Sequence, residues 1–407
     1  MPARRPAVTL HCAHFGRCGG CTRLDQPIAE QVAAKVAGVR ALLEPFRPGL
    51  GIEHEVPAAP PRHYRARILY PVQPHPTLGL TMGIYARGSH EAVEIEECRI
   101  QDPALTELGR RALGVFRGLR LKPYDEAAHA GMLRAFHARI APGTGEMLMG
   151  VVTLGGECPE GTELARALLA AAEDLPGGGA DRPRAVGVVR NLNPERGNAL
   201  LGERSVPLAG RDYLEDRSGG LHWRISFGSF TQANRHADRV LYARALDLLG
   251  PVRGLRVVDG YGGLGAFGLR LARAGAAAVR IVEEHPAACR DAEHNARRNG
   301  LPQVLVEERP FARAELGGGT DLLVVDPPRA GLQADGLRPI LVEPPDRILY
   351  VACNPRSLAR DLDPLHVAGY RLTRVRVVDL FPHTDHVEVL ALLVRRSHLR
   401  RRRGPNL

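Results

Sequence analysis

The sequence predicts an α/β fold: a doubly wound, mostly parallel sheet closed by an antiparallel last strand, preceded by an α+β N-terminal region with a cysteine cluster. Three observations carry this. In the second half, the apolar runs LRVVD, VRIVE, LLVVD and RILYVA are each followed by a helix-length segment, the rhythm of buried parallel strands joined by helical crossovers. RLTRVRVVDLF and HVEVLALLV then follow one another too closely for such a crossover, so they are expected to form an antiparallel hairpin on the sheet edge. In the first half the apolar pattern is mixed, and three cysteines fall within ten residues.

Residues 26–43 predict a helix. HYRARILYPV, LTMGIYAR and HEAVEIEEC within 62–100 predict short strands bounded by Pro and Gly turn signals. Residues 103–120 and 159–174 predict amphipathic helices. RAFHARI and GEMLMGVVTL between them predict a hairpin, and RAVGVVRNLNP a further strand. A division into 1–100 (with the cysteine cluster), 101–220 (central α+β), 221–395 (the doubly wound part) and a basic tail at 396–407 is expected.

Length and composition narrow the class. The 407 residues are 44% hydrophobic and 25% charged, ordinary globular values that exclude a disordered chain or a disulfide-stapled miniprotein. No apolar run reaches a membrane span and the start lacks the apolar core of a secretion signal, so a cytoplasmic monomer with no membrane partner is expected. The net charge is +10, with Lys35 and Lys122 the only lysines, so 53 of the 55 basic residues are arginine. A GC-rich coding bias accounts for most of that excess. Guanidinium also favours phosphate, which makes a polyanion a fair partner.

The cysteines are Cys12, Cys18, Cys21, Cys98, Cys158, Cys289 and Cys353. Cys12-x5-Cys18-x2-Cys21 asks for a fourth thiolate, for which Cys98 is the best candidate. Four thiolates fit zinc or a [4Fe–4S] cluster, and spacing alone favours zinc. Cys158 and Cys289 are expected to be bystanders.

The second half concentrates the chemistry. Asp259-Gly-Tyr-Gly-Gly-Leu-Gly-Ala-Phe267 makes a glycine-rich strand-to-helix turn, within which Gly263-x-Gly265-x-x-Gly268 resembles a dinucleotide loop and is weak on its own. Glu283 ends the second strand, where a carboxylate can accept from a ribose diol. Asp326-Pro327-Pro328-Arg329 ends the third, where the acid can accept from a cofactor amine or a substrate imide. Cys353-Asn354-Pro355 ends the fourth and enters a helix N-terminus, which predicts a nucleophile with a lowered thiol pKa. Phe381-Pro-His-Thr-Asp-His-Val-Glu388 offers a general base. A parallel sheet with an antiparallel final strand suits the methyltransferase variant of the Rossmann plan.

Taken together with Ser229-Phe-Thr-Gln232-Ala-Asn234, Tyr350-Val-Ala-Cys353-Asn-Pro and Leu358-Ala-Arg-Asp361, these motifs resemble the RNA uracil-5-methyltransferases, which make 5-methyluridine in tRNA and large-subunit rRNA. The motifs cover almost the whole chain in family order. The resemblance implies S-adenosylmethionine as cofactor, rRNA or tRNA as substrate, Cys353 as the nucleophile on uracil C6, and Glu388 as the base that removes the C5 proton. It implies cofactor contacts at Gln232, Tyr261, Glu283 and Asp326, with Asp326 and Phe230 also meeting the substrate. It implies a [4Fe–4S] cluster rather than zinc at Cys12, Cys18, Cys21 and Cys98; Gln31 and Lys35 fit the family too.

Departures are Gly260, Gly262 and Ala266, where the family has larger side chains, and VEERPFARAEL, which lacks the usual Asp near the adenine. An OB-like RNA-binding module carried by many members is not expected ahead of Cys12; Arg395–Arg403 can substitute in part as a phosphate contact. The competing reading is a non-catalytic RNA-binding or folding protein of the same family, against which Cys353 and Glu388 both argue. An RNA cytosine-5-methyltransferase would carry Pro-Cys where this chain has Asp326-Pro-Pro, and a small-molecule methyltransferase would need neither the arginines nor the cysteine cluster.

Overall fold

A computed structural model describes residues 10–58, 60–177, 182–396 and 398. Residues 399–407 of the basic tail lie outside it. The chain forms two compact units, one of residues 1–27, 60–218 and 223–235, the other of residues 28–59, 219–222 and 236–407. These units do not follow the linear boundaries at 100 and 220. The helix Ile28–Leu43 packs its Val32, Val36, Val39 and Leu43 into the core of the second unit, because those residues make one apolar stripe that a sheet face can cover.

The first unit is built on a six-stranded sheet in the order Gly79–Met82, Arg67–His75, Leu133–Ile140, Glu146–Thr153, Arg184–Leu192, Arg204–Gly210. The predicted hairpin is the pair Leu133–Ile140 and Glu146–Thr153, buried at every position. Glu146–Thr153 and Arg184–Leu192 run parallel, which the crossover helix Gly161–Ala171 permits. Helix Pro103–Gly118 starts where Asp102 accepts from the Ala104 amide at 2.9 Å, with Pro103 in the first turn. It buries Leu105, Leu108, Ala112 and Phe116, and Phe116 meets Phe136 edge-on at 5.7 Å. Arg204–Gly210 was not anticipated. It is a largely exposed edge strand containing Pro207, so it carries no hydrophobic period. The ribbon Tyr213–Ser218 with Leu221–Ser226 had a legible signal in Gly219-Gly220 between two alternating runs.

The second unit holds an eight-stranded sheet in the order Ile52–His54, Tyr370–Val378, Glu388–Arg395, Arg347–Ala352, Leu322–Val325, Arg256–Gly260, Ala278–Glu283, Val304–Glu308. All pairs are parallel except the two made by Glu388–Arg395. The antiparallel pairing is therefore found, but the expected edge position is corrected. Glu388–Arg395 lies inside the sheet between Arg347–Ala352 and Tyr370–Val378, and Ile52–His54 covers the outer side of the latter. The reason is burial: seven of its eight residues are enclosed, and such a strand needs partners for its backbone on both sides. Helices Gly268–Arg273, Pro286–Arg298, Gln333–Val342 and Pro355–Val367 provide the crossovers. No helix among the described residues is long and apolar enough to cross a membrane.

Phe116→Ala removes a fully enclosed ring from the core of the first unit. It is expected to lower stability by about 3–5 kcal/mol, read as a shift of the urea midpoint of that unit.

Candidate active site

Parallel strands deliver their carboxyl ends to one edge of the sheet, and the reversed strand delivers its amino end to the same edge. Asp259 and Gly260 finish one strand, Glu283 its neighbour, Asp326 follows Val325, and Cys353 follows Ala352. In the ladder Gly260 is level with Val282 and Val325, and Val325 is level with Tyr350. Ala352 pairs with Val389, so the next step along both chains sets Cys353 against Glu388.

Burial then decides the charges. Glu388 is 3% exposed and its Oε2 has no hydrogen-bond partner. Desolvation, then the nearby Asp326 charge, pushes its carboxyl up to about 8. Desolvation pushes Asp326 up to about 7. Asp259 also reaches about 7, because burial outweighs the hydrogen bond it accepts from the Gly268 amide at 2.7 Å. The expectation of a lowered thiol pKa at Cys353 is corrected. Desolvation, followed by Glu388 and Asp326, pushes the thiol up to about 11, against a lesser opposing effect of Arg329. The helix N-terminus does not outweigh a buried acidic cluster.

The loops at this edge are held by side chains. Asn354 caps helix Pro355–Val367 by accepting from the Arg356 amide at 3.2 Å, and its amide donates to the Arg329 carbonyl at 3.1 Å. Asp361 accepts from the Leu332 amide at 2.7 Å and the Tyr350 hydroxyl at 2.8 Å. The Leu358-Ala-Arg-Asp motif thus grips the loop that follows Asp326.

Helix Ile28–Leu43 holds the turn that leads to Glu388. Lys35 Nζ lies 2.7 Å from Asp379 and 3.2 Å from the Phe381 carbonyl, and Gln31 accepts from the His383 amide at 2.8 Å. Sequence reasoning noted Gln31 and Lys35 only as fitting a pattern. Their placement beside this turn could have been suspected from one feature, a lysine and a glutamine on the apolar side of an otherwise apolar stripe.

Glu283 and Tyr261, expected to meet the cofactor, also sit at this edge. Glu283 accepts from the Gly263 amide at 2.9 Å and from the His285 amide at 2.8 Å. Tyr261 has a left-handed backbone, φ 59°, and its ring lies 5.1 Å from Phe311. The departures at Gly260 and Gly262 have a steric account. A Cβ at Gly260 would lie 2.5 Å from the Phe311 ring, and one at Gly262 would lie 2.6 Å from Ile281. Phe311 and Ile281 fill the volume that larger loop side chains would need. Ala266 has no such account. For S-adenosylmethionine the fit rests on the unpartnered buried Asp259 Oδ1 and on a cluster of desolvated carboxyls, surroundings that favour a cation such as a sulfonium.

Phe230 and Gln232 belong to the first unit. Their segment is anchored there by Arg139, which donates to the Ser226 and Ser229 carbonyls at 2.9 Å each. Phe230 is 60% exposed. Cys12, Cys18, Cys21 and Cys98 all line one small apolar cavity of about 20 Å³ together with Leu24, Ile84 and Ile95. Burial is the leading cause raising Cys18, Cys21 and Cys98. Among the described residues no three His, Cys, Asp or Glu side chains are set at metal-holding geometry, so the donor set is gathered without a formed metal site. Cys158 and Cys289 lie elsewhere, Cys289 donating to the Glu283 carbonyl at 3.3 Å.

The family model for tRNA (uracil-5-)-methyltransferase matches residues 210–396. An uncharacterized RNA methyltransferase of Halalkalibacterium halodurans is 34% identical over 400 residues, covering 95% of this chain and 83% of the relative. One from Gloeobacter violaceus is 35% identical over 399 residues, with 95% and 83% covered. The crystal structure of Pyrococcus abyssi tRNA (uracil-54, C5)-methyltransferase in complex with S-adenosyl-L-homocysteine superposes with a TM-score of 0.72 at 25% identity, covering 93% of this chain and 86% of that one. The chain belongs to the RNA methyltransferase family of these relatives.

Proposed function

We propose that the protein transfers a methyl group from S-adenosylmethionine to C5 of a uridine in rRNA or tRNA. The observation that supports it most is the register that sets Cys353 against Glu388, with Asp326 on the adjoining strand. C5 of uracil is a weak nucleophile. Once the Cys353 thiol has given up its proton to water, the thiolate bonds to C6, and the C5–C6 π pair moves into the ring as an enolate that makes C5 nucleophilic. S-Adenosylmethionine, when bound, supplies the electrophilic methyl and departs as the neutral thioether. Glu388 then takes the C5 proton, the C5–C6 double bond reforms, and Cys353 is expelled. The target base has to leave its stack to reach this edge.

The cofactor residues in this reading are Tyr261, Glu283 and Asp326, and the family resemblance adds Gln232. Each Glu283 oxygen already accepts one backbone N–H and keeps a second acceptor site for a ribose hydroxyl. Asp326, held as an acid near neutrality, can donate to a uracil carbonyl or, ionised, accept from its imide. Phe230 would meet the base. Cys12, Cys18, Cys21 and Cys98 would hold a [4Fe–4S] cluster, a reading supported by four thiols around one apolar cavity.

Cys353→Ala is expected to abolish transfer of labelled methyl from S-adenosylmethionine to unmodified RNA; surviving transfer would exclude the covalent route. Glu388→Gln is expected to stop turnover and leave a methylated RNA–protein adduct at Cys353, visible as a band of retarded mobility on a denaturing gel. Because Cys353 and Glu388 both react deprotonated from raised pKa values, kcat should climb as pH rises through about 8, by about tenfold or more per unit below it. A rate that falls over that range contradicts the assignment. Anaerobically purified protein should be brown, with about four irons per chain; a colourless zinc protein would reassign the cysteines.

A further inference from the structure

In the first unit, the segment Phe230–Asn234 lies along residues 64–67. The Ala66 amide donates to the Ala233 carbonyl at 2.8 Å and the Arg235 amide to the Tyr64 carbonyl at 2.7 Å. Four arginines surround this join, and they divide in two. Arg139 is committed to the Ser226 and Ser229 carbonyls, and Arg235 pairs with Asp102 at 2.7 Å. Arg65 and Arg67, two residues apart and so on one face of the chain, are hydrogen-bonded through their backbones, but among the described residues neither guanidinium has a hydrogen-bond or ion-pair partner. Both are half-buried. Arg67 is lowered from the usual guanidinium range by desolvation and by the like charge of Arg65. Its guanidinium carbon lies 5.9 Å from the centre of the Phe230 ring, and that ring is 60% exposed.

Two like charges, partly out of water and with no carboxylate paired to either among the described residues, repel one another in the fold. Such an arrangement is understandable where an anion arrives to complete it. Guanidinium forks match phosphate oxygens in a bidentate way. An exposed flat aromatic next to them suits a base, whose face can stack on the ring whatever its identity. We propose that Arg65 and Arg67 form a phosphodiester clamp, with Phe230 as an adjoining stacking platform, that holds a single-stranded stretch of the RNA substrate. This rests on the reading of RNA as substrate and of Phe230 as meeting a base, and extends it to Arg65 and Arg67, which no motif assigns. Arg65 also faces Cys18, Cys21 and Cys98, so Arg67 is the arm that can be tested without disturbing the cysteines.

The test is fluorescence anisotropy of a labelled 12-nucleotide oligouridylate with the full-length protein over a salt series. Wild type should bind with log K falling linearly in log salt. Arg67→Met should flatten that slope by about 0.7, one phosphate contact on a single strand, and Arg67→Lys should keep it. Phe230→Leu should weaken binding by about tenfold with an unchanged slope. The melting temperature of Arg67→Met should stay level or rise, since an unpaired half-buried charge is removed; a structural arginine would lower it. An unchanged slope in Arg67→Met, a fall in its melting temperature together with its affinity, or no oligouridylate binding by the wild type would each overturn the clamp. Methyl transfer is not read in this assay, so a failure of the Cys353 chemistry leaves the slope difference intact and is told apart from a failure of the clamp.

Discussion

Strand Glu388–Arg395 runs against both of its neighbours, and the chemistry of the second unit depends on that reversal. A parallel sheet brings only carboxyl ends to its ligand edge. Reversing one inner strand brings an amino end there as well, so that residues far apart in the chain, Cys353 and Glu388, share one level of the ladder. The backbone hydrogen bonds on both sides fix that level, and a slip of one residue would turn Glu388 to the opposite face. The burial of seven of the strand's eight residues is what makes such a slip costly.

The same burial sets the protonation of the site. Asp259, Asp326 and Glu388 all have pKa values raised into the range of about 7–8, and Cys353 lies higher still. Carboxyls whose folded pKa exceeds the unfolded value stabilise the fold below the unfolded pKa, and that contribution is lost as pH rises through the folded pKa. For these three the window runs from about pH 4 to about 8. Glu388 thus ionises over the pH range where the empty site becomes less stable. A cationic ligand offsets that conflict by favouring the ionised carboxylates, which is a physical reason for a sulfonium cofactor to suit this edge.

Positioning is shared among elements remote in sequence. Lys35 and Asp379 form an ion pair whose side chains are 3% and 2% exposed. An enclosed pair of this kind contributes little net stability, but breaking it leaves a buried charge, which makes it selective for one geometry. Here that geometry is the turn before Glu388. Asp361, through Leu332 and Tyr350, does the equivalent for the loop after Asp326. Phe311 does so for the glycine-rich loop, occupying the space that Gly260 leaves open.

Much of this was legible in the residues themselves. Buried parallel strands announce themselves as short apolar runs, and the acids and the thiol that follow those runs could be placed at one edge because strand direction is set by crossover length. The glycine pattern and the four cysteines were visible for the same local reason. Long-range pairing was not legible. Nothing local in HVEVLALLV says whether it ends the sheet or enters it, since that depends on which strands compete for its backbone. Nor does a helix at residues 28–43 declare which unit it covers, because an apolar stripe fits any open sheet face. The direction of the Cys353 shift was misjudged because a helix N-terminus is a local feature, whereas desolvation and the facing carboxyls exist only once the strands are paired. Sequence alone determined the parts and their chemistry; the tertiary structure decided which of them share an edge, because sheet order and burial arise from contacts between distant segments.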